Sequence, residues 1–130
     1  MKNPEAPTRL LIVDDEVDIC GFLSCFFTER GFEVSVAHNG REALRILDEK
    51  GHDVMLLDIR MPVMGGMEVL KDLKKSGTSC KVIMVTKVDD PEKINEAKSL
   101  GAAEYLIKPL SLDELEKCVS NYARGKQQLA

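Results

Sequence analysis

Leu10-Leu11-Ile12-Val13-Asp14-Asp15 decides how this chain folds: a short apolar run passes directly into a pair of carboxylates. The pattern returns three times. Val54-Met55-Leu56-Leu57 leads into Asp58, Val82-Ile83-Met84-Val85 into Thr86, and Tyr105-Leu106-Ile107 into Lys108. Continuous apolar runs of this length, bounded by turn residues, read as strands buried on both faces of a parallel sheet. The C-terminal strand ends of such a sheet share one edge, where ligands bind. Asp14, Asp15, Asp58, Thr86 and Lys108 are therefore expected on one rim, an arrangement suited to metal-assisted phosphoryl chemistry.

Between the runs lie segments of helical character. The first is expected over about Glu16 to Arg30, closing at Gly31, with Ile19, Leu23, Phe26 and Phe27 toward the sheet. The second opens at Asn39, with Glu42 reaching back in a capping-box-like arrangement, and stops at Gly51. The third runs roughly from Gly66 to Lys75, before Gly77. The fourth has Asp90 as cap and Pro91 at its first position, and ends at Gly101. Glycine just past a helix admits the left-handed conformation that closes it. A fifth opens with Ser111-Leu112-Asp113-Glu114 and sets Leu112, Leu115, Val119 and Tyr122 on one side. The remaining strand is Glu33 to Ala37, with Val34 and Val36 inward. Five strands alternating with five helices over short connections give an α/β, doubly wound parallel sheet.

The 130 residues suffice for one domain with a substantial core. A net charge of -4 argues against a nucleic-acid surface on this segment. No uninterrupted apolar stretch approaches the roughly 18–20 residues that span a bilayer, and the N-terminus lacks an apolar signal core. A cytoplasmic address is the default. Cys20, Cys25, Cys80 and Cys118 show no metal-ligand spacing and sit in apolar runs, so buried reduced thiols are expected. Residues 1–8 read as a disordered arm, 9–124 as the domain, and 125–130 as a tail or the start of a linker.

Carboxylates crowded at about 4 Å repel by roughly 4 kcal/mol per pair at an effective dielectric near 20. Such a cluster needs a cation or a proton at neutral pH. An all-oxygen site that keeps water suits Mg²⁺. Asp58, alone at the middle strand's end, can attack a phosphorus atom while the metal screens the phosphoryl oxygens. Lys108 would neutralise another oxygen and the Thr86 hydroxyl would donate to a third.

In this order the constellation resembles the receiver domains of two-component response regulators. The carriers are Val13-Asp14-Asp15-Glu16, the stretch Asp58-x-x-Met61-Pro62-x-Met64-x-Gly66, Thr86, and Lys108-Pro109 after Tyr105-Leu106-Ile107. The resemblance covers about Arg9 to Tyr122 and implies a flavodoxin-like strand order 2-1-3-4-5. It implies that Asp58 accepts a phosphoryl group from a sensor kinase phosphohistidine. Asp15, Asp58 and the Arg60 backbone carbonyl would hold Mg²⁺, with Asp14 acting through a water. Thr86 and Lys108 would bind the phosphoryl oxygens, Thr86 and Tyr105 would form the switch, and the Lys108–Pro109 bond would be cis. Phosphorylation would then alter the face of the fourth helix, fifth strand and fifth helix, which meets an output domain, an output protein or a second copy. The domain would be no enzyme beyond its own phosphoryl transfer and slow dephosphorylation.

Three positions depart from the family's habit or tune it. Lys87 replaces a small residue after Thr86 and could arch over the site. Arg60 is a second nearby cation, and Val88 offers no polar group to an attacking water. A long-lived phosphoaspartate is expected. Other functions fit less well. A haloacid-dehalogenase-like phosphatase needs an aspartate where Arg60 stands, and a flavodoxin-like carrier needs a phosphate loop that Asp14-Asp15 would repel. A pseudo-receiver that binds partners without phosphorylation is the alternative reading.

Overall fold

The computed structural model describes residues 6–123. Of the expected arm over 1–8, residues 1–5 lie outside the described residues, as do residue 124 and the whole of the expected tail at 125–130. Five strands alternate with five helices: β1 (Arg9–Val13), α1 (Val17–Glu29), β2 (Glu33–Ala37), α2 (Gly40–Glu49), β3 (Val54–Leu57), α3 (Gly66–Ser76), β4 (Lys81–Thr86), α4 (Pro91–Ser99), β5 (Glu104–Ile107) and α5 (Leu112–Ser120). All pairings are parallel, in the order β2-β1-β3-β4-β5. This is the doubly wound architecture expected from the sequence. Thr8, at the end of the stretch read as an arm, is buried, and its carbonyl accepts the Glu33 N–H at 2.9 Å.

Strand side chains alternate between faces, so each run divides its apolar residues between two cores. Leu11, Val13, Met55, Leu57, Val82 and Met84 face α2, α3 and α4, where Ala43, Val69, Leu70 and Ala97 meet them. Leu10, Ile12, Val54, Leu56 and Ile83 face α1 and α5, where Cys20, Phe27, Leu115 and Val119 meet them. Burial on both faces is why the runs show no polar alternation.

The helix ends follow local chemistry, with differences. Asn39 accepts the Glu42 N–H at 2.9 Å, but the Glu42 carboxylate reaches past Asn39 to the His38 N–H at 2.8 Å. Ser111 and Glu114 close a reciprocal capping box. Gly31, Gly77 and Gly101 take positive φ, whereas Gly51 does not, because α2 already ends in the extended residue Lys50. Ile19 is not a core residue. The inward line of α1 runs through Cys20 and Phe27, and Ile19, about 100° from Cys20 around the helix, stays exposed. The cysteine expectation also needs correction. All four are free thiols, but Cys25 faces solvent from the outer side of α1 and Cys118 is half-buried.

The loop from β3 to α3 is tightly made. Gly66 lies against the Asp58 carbonyl, where a Cβ would collide with backbone, and its N–H donates to the Ile59 carbonyl at 2.9 Å. Val63, exposed in this loop, has φ 69°. That conformation strains a β-branched residue by about 1–3 kcal/mol. Val63→Gly is therefore expected to stabilise the fold by up to about 2 kcal/mol. This is the strain relieved less about 1 kcal/mol of added unfolded-chain entropy. Urea denaturation checks it: the midpoint should rise with an unchanged slope, and a lower midpoint would refute the strain.

Candidate functional site

Register builds the site. Val13 pairs with Leu57, so Asp14 and Asp58, one residue beyond each, leave adjacent strands side by side. Thr86 pairs with Ile107, so Lys108 leaves the sheet beside Thr86, and its N–H donates to the Thr86 carbonyl at 2.8 Å. The Asp58 N–H donates to the Val13 carbonyl at 3.2 Å, extending the ladder to the rim. The Lys108–Pro109 peptide is cis.

A single ammonium joins these strand ends. Lys108 Nζ lies 2.9 Å from Asp14 Oδ2, 3.2 Å from Asp58 Oδ2 and 3.7 Å from Glu16 Oε1. Burial opposes the charge on Lys108, but the hydrogen bonds and charges of Asp14 and Asp58 outweigh it and hold its pKa above the ordinary lysine value. Each carboxylate is also oriented by backbone. Asp14 Oδ1 accepts the Glu16 N–H at 3.0 Å, and Asp58 Oδ1 accepts the Arg60 N–H at 3.2 Å.

Thr86 is buried at the end of β4, and its hydroxyl oxygen accepts the Val88 N–H at 3.3 Å. That bond leaves the hydroxyl's own hydrogen available as a donor. The Tyr105 hydroxyl donates to the Val88 carbonyl at 2.6 Å. Burial, and then the Asp58 charge, push the Tyr105 phenol above its usual value, so it stays a donor at neutral pH. Both side chains therefore grip one residue of the β4–α4 loop.

A cavity of about 160 Å³ opens over Asp58, lined by Glu16, Arg60, Thr86, Lys87, Val88 and Lys108 as well. Lys87 and Arg60 are exposed at its mouth, whereas Val88 is buried in its wall. Asp15 is exposed and stands outside the Lys108 network, because Asp14 closes the turn onto Glu16 and leaves Asp15 at its crest. Among the described residues no three His, Cys, Asp or Glu side chains converge as a ready metal cluster. The donor chemistry nevertheless fits a hydrated hard cation. The carboxylates of Asp14 and Asp58 already turn to one positive charge, and Asp58 borders an open cavity that Glu16 and Arg60 also line.

Sequence reasoning missed His38 and Cys20. Both reach the Asp14 backbone carbonyl, His38 Nδ1 at 3.1 Å and Cys20 Sγ at 3.2 Å. Register could have revealed the first, since Ala37 pairs with Val13 and His38 follows it just as Asp14 follows Val13.

Comparison with known proteins gives a consistent result. A family model described as "Response regulator receiver domain" matches residues 10–120. Regulatory protein AtoC of Escherichia coli (strain K12) is 44% identical over 114 residues, which cover 88% of this chain and 25% of that protein. The chain thus spans about a quarter of that relative's length. Sporulation initiation phosphotransferase F of Bacillus subtilis (strain 168) is 36% identical over 114 residues, 88% of this chain and 92% of that protein. The solved structure of response regulator protein TrrA from Thermotoga maritima, in complex with Mg(2+)-BeF, matches with a TM-score of 0.79. It is 33% identical and covers 88% of this chain and 98% of that one.

Removing the shared ammonium leaves two carboxylates facing each other in a partly buried place. Lys108→Met is expected to lower the unfolding free energy by about 1–3 kcal/mol in metal-free buffer at pH 7. That is less than a fully buried pair would lose, because water still reaches the ammonium. Lys93→Met, from the exposed Lys93–Glu96 pair, should cost under about 1 kcal/mol. Equal losses in paired urea denaturation curves would show that Lys108 carries no special charge burden.

Proposed function

This chain belongs to the response regulator receiver domain family, and on that premise we propose that it is a phosphorylation-activated signalling switch whose acceptor is Asp58. The observation that carries the reading is the Lys108 ammonium drawn to Asp14 and Asp58 at 2.9 and 3.2 Å, beside a cavity shared with Thr86. In the proposed reaction an Asp58 carboxylate oxygen forms a bond to phosphorus as the phosphorus–nitrogen bond of a kinase phosphohistidine breaks. The electron pair returns to the departing imidazole. Asp58 faces the cavity, and its backbone-bonded Oδ1 keeps the group aimed. Lys108 follows the negative charge onto a phosphoryl oxygen, and the Thr86 hydroxyl turns its hydrogen to another. Mg²⁺ held by Asp15, Asp58 and the Arg60 carbonyl, with Asp14 through water, would neutralise the incoming phosphoryl oxygens.

Switching follows from the grip on Val88. A Thr86 drawn toward the phosphoryl group pulls on the loop that Tyr105 holds from β5, so loop and aromatic move as a unit. The population of the active arrangement rises by the difference in phosphoryl contacts between the two states. The surface of α4, β5 and α5 then meets an output domain, an output protein or a second copy. Val17, Ile19 and Phe22 on α1, and Ile107 on β5, are large apolar side chains left exposed. Their exposure suits a protein phosphodonor better than a free small molecule. We further propose a receiver unit over 9–124, a cytoplasmic location and no nucleic-acid contact by this segment. No described helix is long and apolar enough to cross a membrane.

Intact mass after incubation with phosphoramidate tests the reading. A Mg²⁺-dependent gain of one phosphoryl group in wild type, absent in Asp58→Asn, is expected; no gain even with a phosphorylated kinase would leave a pseudo-receiver. A second measurement addresses the mouth of the cavity. Lys87 and Arg60 are positioned to screen the phosphoaspartate, and Val88 gives no handle to an attacking water. Lys87→Ala and Arg60→Ala should each speed phosphoaspartate decay two- to fivefold, an exposed charge contact being worth up to about 1 kcal/mol. Decay at the wild-type rate in both variants would remove these cations from the account.

A further inference from the structure

We propose that His38 is a positioning residue for the acidic turn, holding the Asp14 carbonyl through its Nδ1–H and so fixing the peptide plane from which Asp15 departs. The inference rests on the reading of Asp14, Asp15 and Asp58 as the Mg²⁺ site. Asp14 is buried where β1 has ended and α1 has not begun. Its carbonyl faces the imidazole of His38 at 3.1 Å and the thiol of Cys20 at 3.2 Å. A carbonyl can only accept, so His38 Nδ1 carries the hydrogen. Cys20 supplies a weak donor, kept protonated because burial and then the Asp14 charge push its thiol up to about 11.

His38 is itself clamped. Its backbone N–H donates to Glu42 Oε1 at 2.8 Å, and the Asn39 side chain caps α2 beside it. The Asp14 N–H donates to the Ala37 carbonyl at 3.1 Å. The peptide groups on both sides of Asp14 are thus tied to the end of β2, on the sheet neighbour opposite β3. The Asp14 carboxylate is fixed separately, by the Glu16 N–H and Lys108. Without the imidazole, the Asp14–Asp15 peptide keeps only the thiol, and Asp15 loses its fixed starting direction. Partners of this indirect kind typically change metal affinity by about 10–100-fold when removed.

The test compares His38→Ala, His38→Asn and His38→Gln. Asparagine keeps an amide donor near the Nδ1 position, while glutamine moves it toward Nε2. The readout is the Mg²⁺ dissociation constant from amide spectra of the acidic turn, with urea denaturation of each metal-free variant alongside. We expect affinity to fall about tenfold in the Ala and Gln variants and to stay within about twofold of wild type in Asn. The apparent KM for phosphoramidate at saturating Mg²⁺ should not change. Wild-type affinity in His38→Ala, or Asn as weak as Ala, overturns the inference while leaving Asp58 phosphorylation untouched. Should Ala fail to fold, the contrast between Asn and Gln decides. If wild type itself shows no saturable Mg²⁺ binding, the reading of the site falls and this inference falls with it.

Discussion

Like charges brought to one edge of a sheet are the constraint on which this structure turns. Asp14 and Asp58 leave neighbouring strands one residue beyond a registered pair, so the sheet that buries Val13 and Leu57 also forces two carboxylates together. The opposing charge comes from Lys108, 94 residues from Asp14 and 50 from Asp58 along the chain. Only the completed order β1-β3-β4-β5 carries it there. The ion triad is thus a product of the fold rather than its cause. Hydrophobic burial of the two cores stabilises an arrangement that electrostatics alone would oppose. A rim assembled this way holds negative charge under tension, relieved in part by one ammonium and open to further cations.

Two cores on opposite faces give that rim its rigidity. Because successive residues of each strand serve different cores, no strand can slip by one residue without moving both sets of side chains to the wrong face. Register therefore fixes where each functional side chain emerges. Gly66 adds a local requirement of the same kind. Its lack of a Cβ lets α3 start against the Asp58 carbonyl and holds the far side of the acidic group in place.

How much of this was legible in the sequence depends on whether the signal lies in side-chain type or in backbone geometry. The apolar runs, their turn residues and the Ser111–Glu114 capping box announce themselves by type, and the structure carries all of them. Asp14, Asp58, Thr86 and Lys108 were legible together because each ends a run and parallel runs end on one edge. Asp15 was not resolved from Asp14 by that logic, since a run's end does not say which of two adjacent carboxylates turns inward. The contacts of His38 and Cys20 carry no signal of side-chain type, and only strand register could have pointed to the first. Their acceptor is a backbone carbonyl, which every residue possesses and no sequence pattern marks. Cys25 and Ile19 lie in an apolar helix whose composition is too uniform to show which side faces out.

On the proposed reading, a chemical event at the rim reaches a surface through the β4–α4 loop without a long chain of contacts. Val88 is held twice, its N–H by the Thr86 hydroxyl and its carbonyl by the Tyr105 hydroxyl, and its side chain is buried in the cavity wall. The first of these bonds is long at 3.3 Å and the second short at 2.6 Å. A new acceptor for Thr86 would take the hydroxyl's free hydrogen, so Thr86 can turn toward it while its oxygen still holds the Val88 N–H and the short Tyr105 bond keeps loop and β5 together. A loop held from both sides carries, on the proposed reading, a movement of Thr86 to Tyr105 and β5. On that reading the double hold on Val88, more than the presence of either residue, makes the domain a switch rather than a static phosphate site.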